Sequence, residues 1–341
     1  MSLRGSTRPL SEAYDVALLD LDGTVYVGSR PLPGAGEALG KARASGMRLA
    51  FVTNNASRTP SSVAALLSGM GVPATAADVI TSAQAAARML AERLPPGSRV
   101  LVVGGMGLRQ ALRAHGLRPV STAAERPAAV VQGYAPDLSY ALIAEGGQAV
   151  ADGALFVGSN GDLTIPGVPG QRPRPGNGSL LQVIRTATGV DPVVTGKPER
   201  PLHDEAVLRT GARSPLVVGD RLDTDIEGAH NGGADSLLVL TGVTDPLTLV
   251  TAAPGLRPTY VAADLAGLLT PHPAVRHGAD GHECGGWRAA WAPGRDRLEL
   301  TGDGDRIDGL RALCGAAWST DAPADPGAVT GALERLQREA G

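Results

Sequence analysis

The stretch Val16-Ala17-Leu18-Leu19-Asp20-Leu21-Asp22-Gly23-Thr24 joins a short apolar run to two carboxylates. The apolar run has the length of a buried strand, and Gly23 interrupts that pattern. Asp20 and Asp22 are two residues apart, so at the end of an extended strand they point to the same side. In open α/β sheets, ligands bind at the carboxyl ends of the strands. One carboxylate can therefore coordinate a cation and attack a substrate, while the other handles a proton.

Two carboxylates with this spacing do not define a site by themselves. The same pattern occurs in sugar transferases that hold a metal-bound nucleotide and in ordinary turns. Thr53-Asn54-Asn55 follows a second apolar strand, Leu49-Ala50-Phe51-Val52, and its hydroxyl and amide groups suit an anion. The alternative is that these three residues cap a turn. Thr59 as N-cap and Pro60 as first residue predict a helix start, whose dipole favours anions.

The composition limits the class of protein. The 341 residues carry a formal net charge of −3, so no broad basic face for nucleic acid is expected. The two cysteines, Cys284 and Cys314, exclude a disulfide framework and indicate a reducing compartment. No apolar window approaches a membrane span, and no signal-peptide core follows the N-terminus. We expect a cytoplasmic protein that binds neither nucleic acid nor a membrane.

Strands and helices alternate along the chain and predict an α/β fold with a doubly wound, Rossmann-like parallel sheet. Pro95-Pro96-Gly97 interrupts this rhythm, and a new one begins after it. We predict a catalytic core from residues 14–83 and 186–270, with an inserted α/β cap at 84–185. Residues 272–341 carry all three tryptophans and both cysteines, and predict a small C-terminal α+β domain with its own core and an unknown role.

Two later strand ends carry further candidates. Lys197 lies between Gly196 and Pro198, and the proline restricts the backbone, so this lysine is expected to be held in position. The alternative is a solvated charge, which is what a lone lysine most often is. Asp220, Asp223 and Asp225 follow the predicted strand Pro215-Leu216-Val217-Val218. Three acidic residues at one strand end are unfavourable without a cation or another partner.

Together the four motifs resemble those of the haloacid dehalogenase-like phosphatase superfamily. They are D-L-D-G-T at 20–24, T-N-N at 53–55, G-K-P at 196–198 and G-D-R-L-D-T-D-I at 219–226. The α/β insertion between the second and third motifs resembles the subfamily of phosphoglycolate, glycerol phosphate, pyridoxal phosphate and nitrophenyl phosphate phosphatases. The run S-N-x-D…P…G-x-G-S-L at 159–181 is similar to the cap of that subfamily. The resemblance covers residues 14–270 and not the C-terminal region.

The resemblance implies a mechanism and a Mg²⁺ cofactor. Asp20 is the nucleophile that forms a phosphoaspartate, and Asp22 is the general acid and base. The implied metal ligands are Asp20, the backbone carbonyl of Asp22, and Asp220, while Asp225 supports Lys197 or a metal-bound water. Lys197 offsets charge on the transferred phosphoryl group. The implied phosphate-binding residues are Gly23, Thr53, Asn54 and Asn55.

The leaving group and the cap narrow the substrate. A halide needs no proton whereas an alkoxide does, so Asp22 favours phosphate ester hydrolysis over dehalogenation. A polar cap with few aromatic residues favours glycerol 3-phosphate over pyridoxal phosphate, and phosphoglycolate also fits. The candidate residues for recognising the alcohol part of the substrate are Asn160, Asp162, Arg172 and Arg174. The alternative for each arginine is a position in a solvated Gly/Pro-rich connector. We further expect a homodimer formed through the cap.

The C-terminal region leaves other readings open. The chain can be a non-catalytic metabolite sensor with its output in 272–341, but intact Asp20 and Asp22 argue against this. Another reading is a zinc site, yet the spacing of its candidate ligands matches no familiar zinc pattern. These candidates are His277, His282, Cys284 and Cys314. The tail also fits a remnant of an acetyltransferase-like fold, but it lacks a [Q/R]-x-x-G-x-[G/A] loop, so we predict no transferase activity.

Overall fold

A computed structural model describes residues 3–165, 172–278, 280–320 and 322–338. The chain divides into two compact units: the first is Met1–Leu49 with Ala212–Gly341, and the second is Ala50–Gly211. Both contain parallel strands alternating with helices, which confirms the predicted fold class. Across the described residues, no helix is both long enough and apolar enough to cross a membrane.

The first strand of the first unit is the one that the opening apolar run predicts. Val16–Leu19 is buried along its whole length because both faces of a parallel sheet are covered. The elements up to the unit boundary are α1 (Leu10–Ala13), β1 (Val16–Leu19), β2 (Tyr26–Val27), β3 (Arg30–Pro31), α2 (Ala35–Ala44) and the start of β4 (Arg48–Thr53).

The second unit contains a five-stranded sheet. Its elements are the rest of β4, α3 (Pro60–Gly69), β5 (Val79–Thr81), α4 (Ser82–Arg93), β6 (Arg99–Val103), α5 (Met106–Ala114), β7 (Arg118–Val120), β8 (Ala129–Gln132), α6 (Tyr140–Ala151), β9 (Leu155–Gly158), β10 (Thr164–Ile165), β11 (Arg174–Pro175), α7 (Asn177–Thr188), β12 (Val193–Val194) and α8 (Arg200–Thr210). The strand order is β12-β9-β8-β6-β7, with parallel neighbours.

Alternation along β6 gives this sheet two apolar faces. Val100 and Val102 pack into one buried cluster, and Leu101 and Val103 pack into another. Successive side chains of a strand point to opposite faces, so a continuous run of valine and leucine fits a strand covered by helices on both sides. The boundaries at 84 and 185 and the role of the segment as a cap stay a prediction.

The chain then returns to the first unit and completes its parallel sheet. The remaining elements are β13 (Pro215–Gly219), α9 (Glu227–Gly232), β14 (Asp235–Val239), α10 (Pro246–Val250), β15 (Tyr260–Ala262), β16 (Arg276–Gly278), β17 (Gly281–Cys284), β18 (Trp287–Trp291), β19 (Leu298–Gly302), α11 (Arg306–Ala317) and α12 (Pro326–Arg338). Within this unit the order is β15-β14-β13-β1. A π-helical turn, Leu222–Ile226, follows β13.

The C-terminal region forms an antiparallel sheet, β16-β17-β18-β19, with α11 against β17 and β18 and α12 against β19. Strands β18 and β19 form a hairpin, and the antiparallel strands β16 and β17 before them were not predicted. The expectation of a separate core is wrong. A single buried cluster joins Val250 and Val261 to Trp287 and Leu313. The indole N–H of Trp318 also donates to the Val250 carbonyl (3.1 Å).

Candidate active site

Three carboxylates meet at the carboxyl ends of β1 and β13. Asp20 directly follows β1, whereas Asp220 directly follows β13 and Asp225 lies in the π-helical turn after it. Each offers an oxygen, and these atoms all lie within 4.8 Å of one another. The Asp20 N–H donates to the Val218 carbonyl (2.8 Å), which continues the pairing of the two strands up to the site. We call Asp20, Asp220 and Asp225 the carboxylate cluster.

The chemistry of the carboxylate cluster fits a divalent cation. Asp220 and Asp225 are buried, and anionic groups this close repel one another unless positive charge offsets them. All three donors are carboxylate oxygens, the ligand type that Mg²⁺ prefers. The sequence predicted Asp225 as a support behind the ligands, and the structure places its carboxylate in the cluster itself.

Asp220 is held by the loop after β14. The Val243 N–H donates to its Oδ2 (2.7 Å), and the Thr24 hydroxyl is 3.5 Å from its Oδ1. A Cβ at Gly23 or Gly242 would come within 2.4 or 2.0 Å of the same carboxylate. Gly23 also has φ +90°, which other residues rarely adopt. These glycines allow the backbone to approach Asp220 closely.

The Asp22 side chain is exposed and is not a member of the carboxylate cluster. Its Oδ1 accepts a long hydrogen bond from the Gly28 N–H (3.4 Å). Loss of water on the protein side raises the pKa of Asp22 above its ordinary value, and the Gly28 N–H opposes that rise. A carboxyl group that keeps its proton to higher pH suits a general acid.

Asp223 faces solvent. Its carboxylate forms a bidentate pair with the Arg221 guanidinium (3.0 and 2.8 Å), which lowers the pKa of Asp223. The Arg221 backbone N–H instead donates to Asp225 Oδ2 (3.1 Å). The residues of this motif therefore separate into a buried group that belongs to the carboxylate cluster and an exposed ion pair.

The second unit carries the other candidate residues. Thr53 is buried at the end of β4, and its hydroxyl accepts the Asn55 N–H (3.1 Å). The exposed Asn55 side chain accepts from the Ser57 N–H (2.9 Å), so it closes a turn, as the alternative interpretation expected. Lys197 is only 9% exposed, and its ammonium donates to the Val52 carbonyl (3.1 Å). Lys197 is thus positioned by the protein and is not a solvated surface charge.

Asn54 fixes the loop that carries Lys197. Its Oδ1 accepts the Lys197 N–H (2.8 Å), and its Nδ2 donates to the Lys197 carbonyl (3.1 Å) and to Asp162 Oδ2 (3.1 Å). We call these three hydrogen bonds the Asn54 clamp. Because the side chain is used in this way, the phosphate-binding role predicted for Asn54 rests on its backbone amide.

Two of the four residues predicted to recognise the alcohol make contacts within the protein. Asn160 is buried, and its Nδ2 donates to the Asn54 carbonyl (2.7 Å), while Asp162 belongs to the Asn54 clamp. Arg172 and Arg174 are exposed, the latter in the two-residue strand β11. Residues 166–171 of the same predicted loop lie outside the described residues.

Sequence reasoning missed three residues that support these sites. Thr241 donates its hydroxyl to the Gly23 carbonyl (2.6 Å), and Val243 holds Asp220. Ser82 donates its hydroxyl to the Asn54 carbonyl (2.7 Å). The signal for the first two was a polar turn, Thr241-Gly242, directly after an apolar strand. The local sequence around Ser82 gives no such signal, because Ser82 follows a short strand and its surroundings are those of an ordinary helix start.

Comparison with known families identifies the class that this fold and site define. A family model described as haloacid dehalogenase-like hydrolase matches residues 17–118, and a HAD-hydrolase-like model matches residues 194–268. The chain belongs to the haloacid dehalogenase-like hydrolases, and among these to the phosphatases, which are phosphoric monoester hydrolases. The predicted superfamily, fold class and enzyme class are confirmed.

Individual relatives extend over most of the chain. A D-glycerol 3-phosphate phosphatase of Mycobacterium tuberculosis is 44% identical over 330 residues, which cover 92% of this chain and 89% of that protein. A 5′-nucleotidase of Bacillus subtilis is 41% identical over 235 residues, covering 68% of this chain and 90% of that protein. The crystal structure of a glycerol phosphate phosphatase from M. tuberculosis in complex with magnesium superposes with a TM-score of 0.87 at 42% identity. It covers 97% of this chain and 99% of that one.

The C-terminal region matches a family of its own. A model described as GCN5-related N-acetyltransferase like domain covers residues 284–338, from the end of β17 to the end of α12. This match supports the interpretation of the tail as a remnant of an acetyltransferase-like fold. The predicted absence of transferase activity stays a prediction.

Proposed function

We propose that this phosphatase hydrolyses D-glycerol 3-phosphate to glycerol and phosphate in a Mg²⁺-dependent reaction. The observation that carries the reaction is the carboxylate cluster at the ends of β1 and β13. The substrate rests on the 44% identity to a D-glycerol 3-phosphate phosphatase, which extends over 92% of the chain.

The proposed chemistry uses two carboxyl groups in turn. An oxygen of Asp20 attacks phosphorus, the bond from phosphorus to the alcohol oxygen breaks, and Asp22 gives its proton to the departing alkoxide. Asp22 then removes a proton from water, which attacks the phosphoaspartate and releases phosphate. Mg²⁺ held by Asp20, Asp220 and the Asp22 carbonyl would lower the repulsion between the anionic carboxylate and the anionic phosphate. Asp225 would support these ligands from within the cluster.

We assign the phosphoryl oxygens to donors on the motif loops. The Thr53 hydroxyl and the backbone amide of Asn54 would bind them, Gly23 and Asn55 are proposed to contribute to the same site, and the Lys197 ammonium would offset their growing charge. The burial of Lys197 supports this assignment, because a charge removed from water interacts more strongly with a nearby anion.

The proposal is tested by a phosphate-release assay over a panel of small esters with Mg²⁺. The panel contains both enantiomers of glycerol 3-phosphate, phosphoglycolate, pyridoxal phosphate, a 5′-nucleotide and nitrophenyl phosphate, with Asp20→Asn as the inactive control. We expect the highest kcat/KM for the D-glycerol ester. A higher kcat/KM for another ester would identify that ester as the preferred substrate and overturn the assignment of D-glycerol 3-phosphate. Binding without turnover of any ester would favour the non-catalytic sensor.

Phosphatase relatives of this chain act on small phosphorylated substrates. We propose that this protein likewise meets its substrate in the cytoplasm, without a nucleic-acid or membrane partner, and forms a homodimer through residues 84–185. The net charge of −3 supports the exclusion of nucleic acid. Light scattering on the purified protein tests the dimer, and a monomeric mass would overturn it.

A further inference from the structure

A histidine pair occupies the hairpin formed by β16 and β17. His277 and His282 lie directly opposite each other in the register. His277 Nδ1 and His282 Nε2 are 3.3 Å apart, and the ring centroids are 4.6 Å apart with the planes at 51°. The sequence named both residues as candidate zinc ligands, and the phosphatase chemistry uses neither.

The separation of the two nitrogens is the one that a shared metal ion requires. Two ligand nitrogens at about 2.0–2.1 Å from a tetrahedral ion lie about 3.3 Å from each other. Imidazole nitrogens suit borderline ions such as Zn²⁺, Ni²⁺ and Cu²⁺, whereas Mg²⁺ and Ca²⁺ prefer oxygen ligands. The pair therefore differs in chemistry from the carboxylate cluster.

The surroundings keep this pair accessible while fixing one of its rings. His277 is exposed, so an ion can reach it from solvent. The half-buried His282 ring packs against Gly315 of α11, where an added Cβ would lie 3.2 Å from its Cδ2. Its position is therefore restricted before any ligand arrives, which lowers the entropy lost on binding.

The two cysteines of the sequence-based zinc hypothesis do not join the pair. Cys314 is fully buried, and the Cys284 thiol lies against the Pro273 carbonyl (3.8 Å) and Asp308 (3.7 Å). Among the residues that the structure describes, neither thiol comes together with the two imidazoles as a group of metal ligands. The zinc hypothesis is thereby reduced from four residues to two.

We propose that His277 and His282 form a binding site for a borderline divalent transition-metal ion, with Zn²⁺ as the representative. The ion is held by Nδ1 of His277 and Nε2 of His282, and water fills its remaining positions. It links β16 to β17 and so stabilises the edge of the C-terminal sheet. This site is independent of the proposed phosphatase reaction.

Calorimetric titration of the full chain with Zn²⁺ alone, in buffer with excess Mg²⁺ to occupy the carboxylate cluster, tests the proposal. We compare wild type with His277→Gln, and use His230→Gln as the control because His230 is exposed and lies outside the pair. We expect His277→Gln to weaken Zn²⁺ binding about tenfold or more and His230→Gln to leave it unchanged. Equal binding by wild type and His277→Gln overturns the site and leaves a hydrogen-bonded histidine pair only.

Thermal unfolding gives a second, independent readout. An ion that binds only the folded chain raises its Tm in proportion to the logarithm of ion concentration. Zn²⁺ should therefore raise the Tm of wild type and of His230→Gln more than that of His277→Gln, while Mg²⁺-dependent phosphatase activity stays equal in all three. The same Zn²⁺-induced Tm shift in all three proteins would overturn the proposal.

Discussion

Asn54→Ala tests how Lys197, the proposed catalytic lysine, is positioned. The change removes the two hydrogen bonds from Asn54 to the Lys197 backbone and the bond to Asp162. Each neutral bond contributes about 0.5–1.5 kcal/mol, so the lost positioning of Lys197 amounts to about 1–3 kcal/mol. If this free energy is lost in the transition state, kcat/KM falls roughly 5- to 150-fold.

The assay compares kcat/KM for D-glycerol 3-phosphate with that for nitrophenyl phosphate. Lys197 is proposed to act on the phosphoryl group common to all esters, so both values should fall by the same factor. Ser57→Ala is the matched control, because it removes only the hydroxyl bonded to Asn55 Oδ1 (2.8 Å) in the same turn. We expect it to stay within about twofold of wild type.

Two results would refute this reasoning. Activity of Asn54→Ala within about twofold of wild type would mean that other contacts, such as the bond from Lys197 Nζ to the Val52 carbonyl, suffice to hold the lysine. A loss confined to the glycerol ester would mean that Asn54 contacts the alcohol. Thermal unfolding of the variant must show a folded protein for either conclusion.

Four further predictions follow from the site and the core. Asp20→Asn should lower kcat far more than about tenfold with unchanged circular dichroism, and turnover within tenfold of wild type would remove the nucleophile assignment. EDTA should abolish phosphate release, and added Mg²⁺ should restore it. Ca²⁺ should inhibit, because its looser coordination can engage both oxygens of Asp20. Full activity without metal would contradict the proposed metal site. Arg172→Ala or Arg174→Ala should change the ranking among small esters more than nitrophenyl phosphate hydrolysis, and equal losses on all esters would assign the loop a general role. Burial lowers the pKa of His272 below its ordinary 6.5, so below that pH the unfolded chain binds more protons than the folded chain. The free energy of unfolding should therefore fall as the pH is lowered. Urea unfolding at about pH 7.5 and 5.5 should show a smaller fall for His272→Gln than for wild type.

The local sequence determined most of the helices and strands and located the four motif loops. The apolar run before Asp20 is β1, and the Thr59-Pro60 start begins α3 with the predicted cap, since the Thr59 hydroxyl accepts the Ser62 N–H (3.3 Å). Such signals are readable because burial periodicity and capping act over a few neighbouring residues. The four motif loops were located for the same reason, as each directly follows an apolar strand.

Tertiary structure alone decided which side chains meet. Asn54 and Lys197 are 143 residues apart in the chain, and nothing near either one names the other as its partner. The inclusion of Asp225 in the carboxylate cluster depends on a π-helical turn that local pattern does not predict. The opposition of His277 to His282 depends on a strand pair that the sequence did not reveal.

The C-terminal region marks the same limit on a larger scale. Its composition indicated a separate small domain, yet its tryptophans and α11 share a buried cluster with Val250 of α10 and Val261 of β15. The sequence predicts that an apolar residue is buried, but it does not predict which residues pack against it, because any apolar neighbour favours burial. The sequence therefore determined most of the strands and helices and the polar motifs that follow the strands, and the packing of distant segments decided the geometry of the site and the extent of the core.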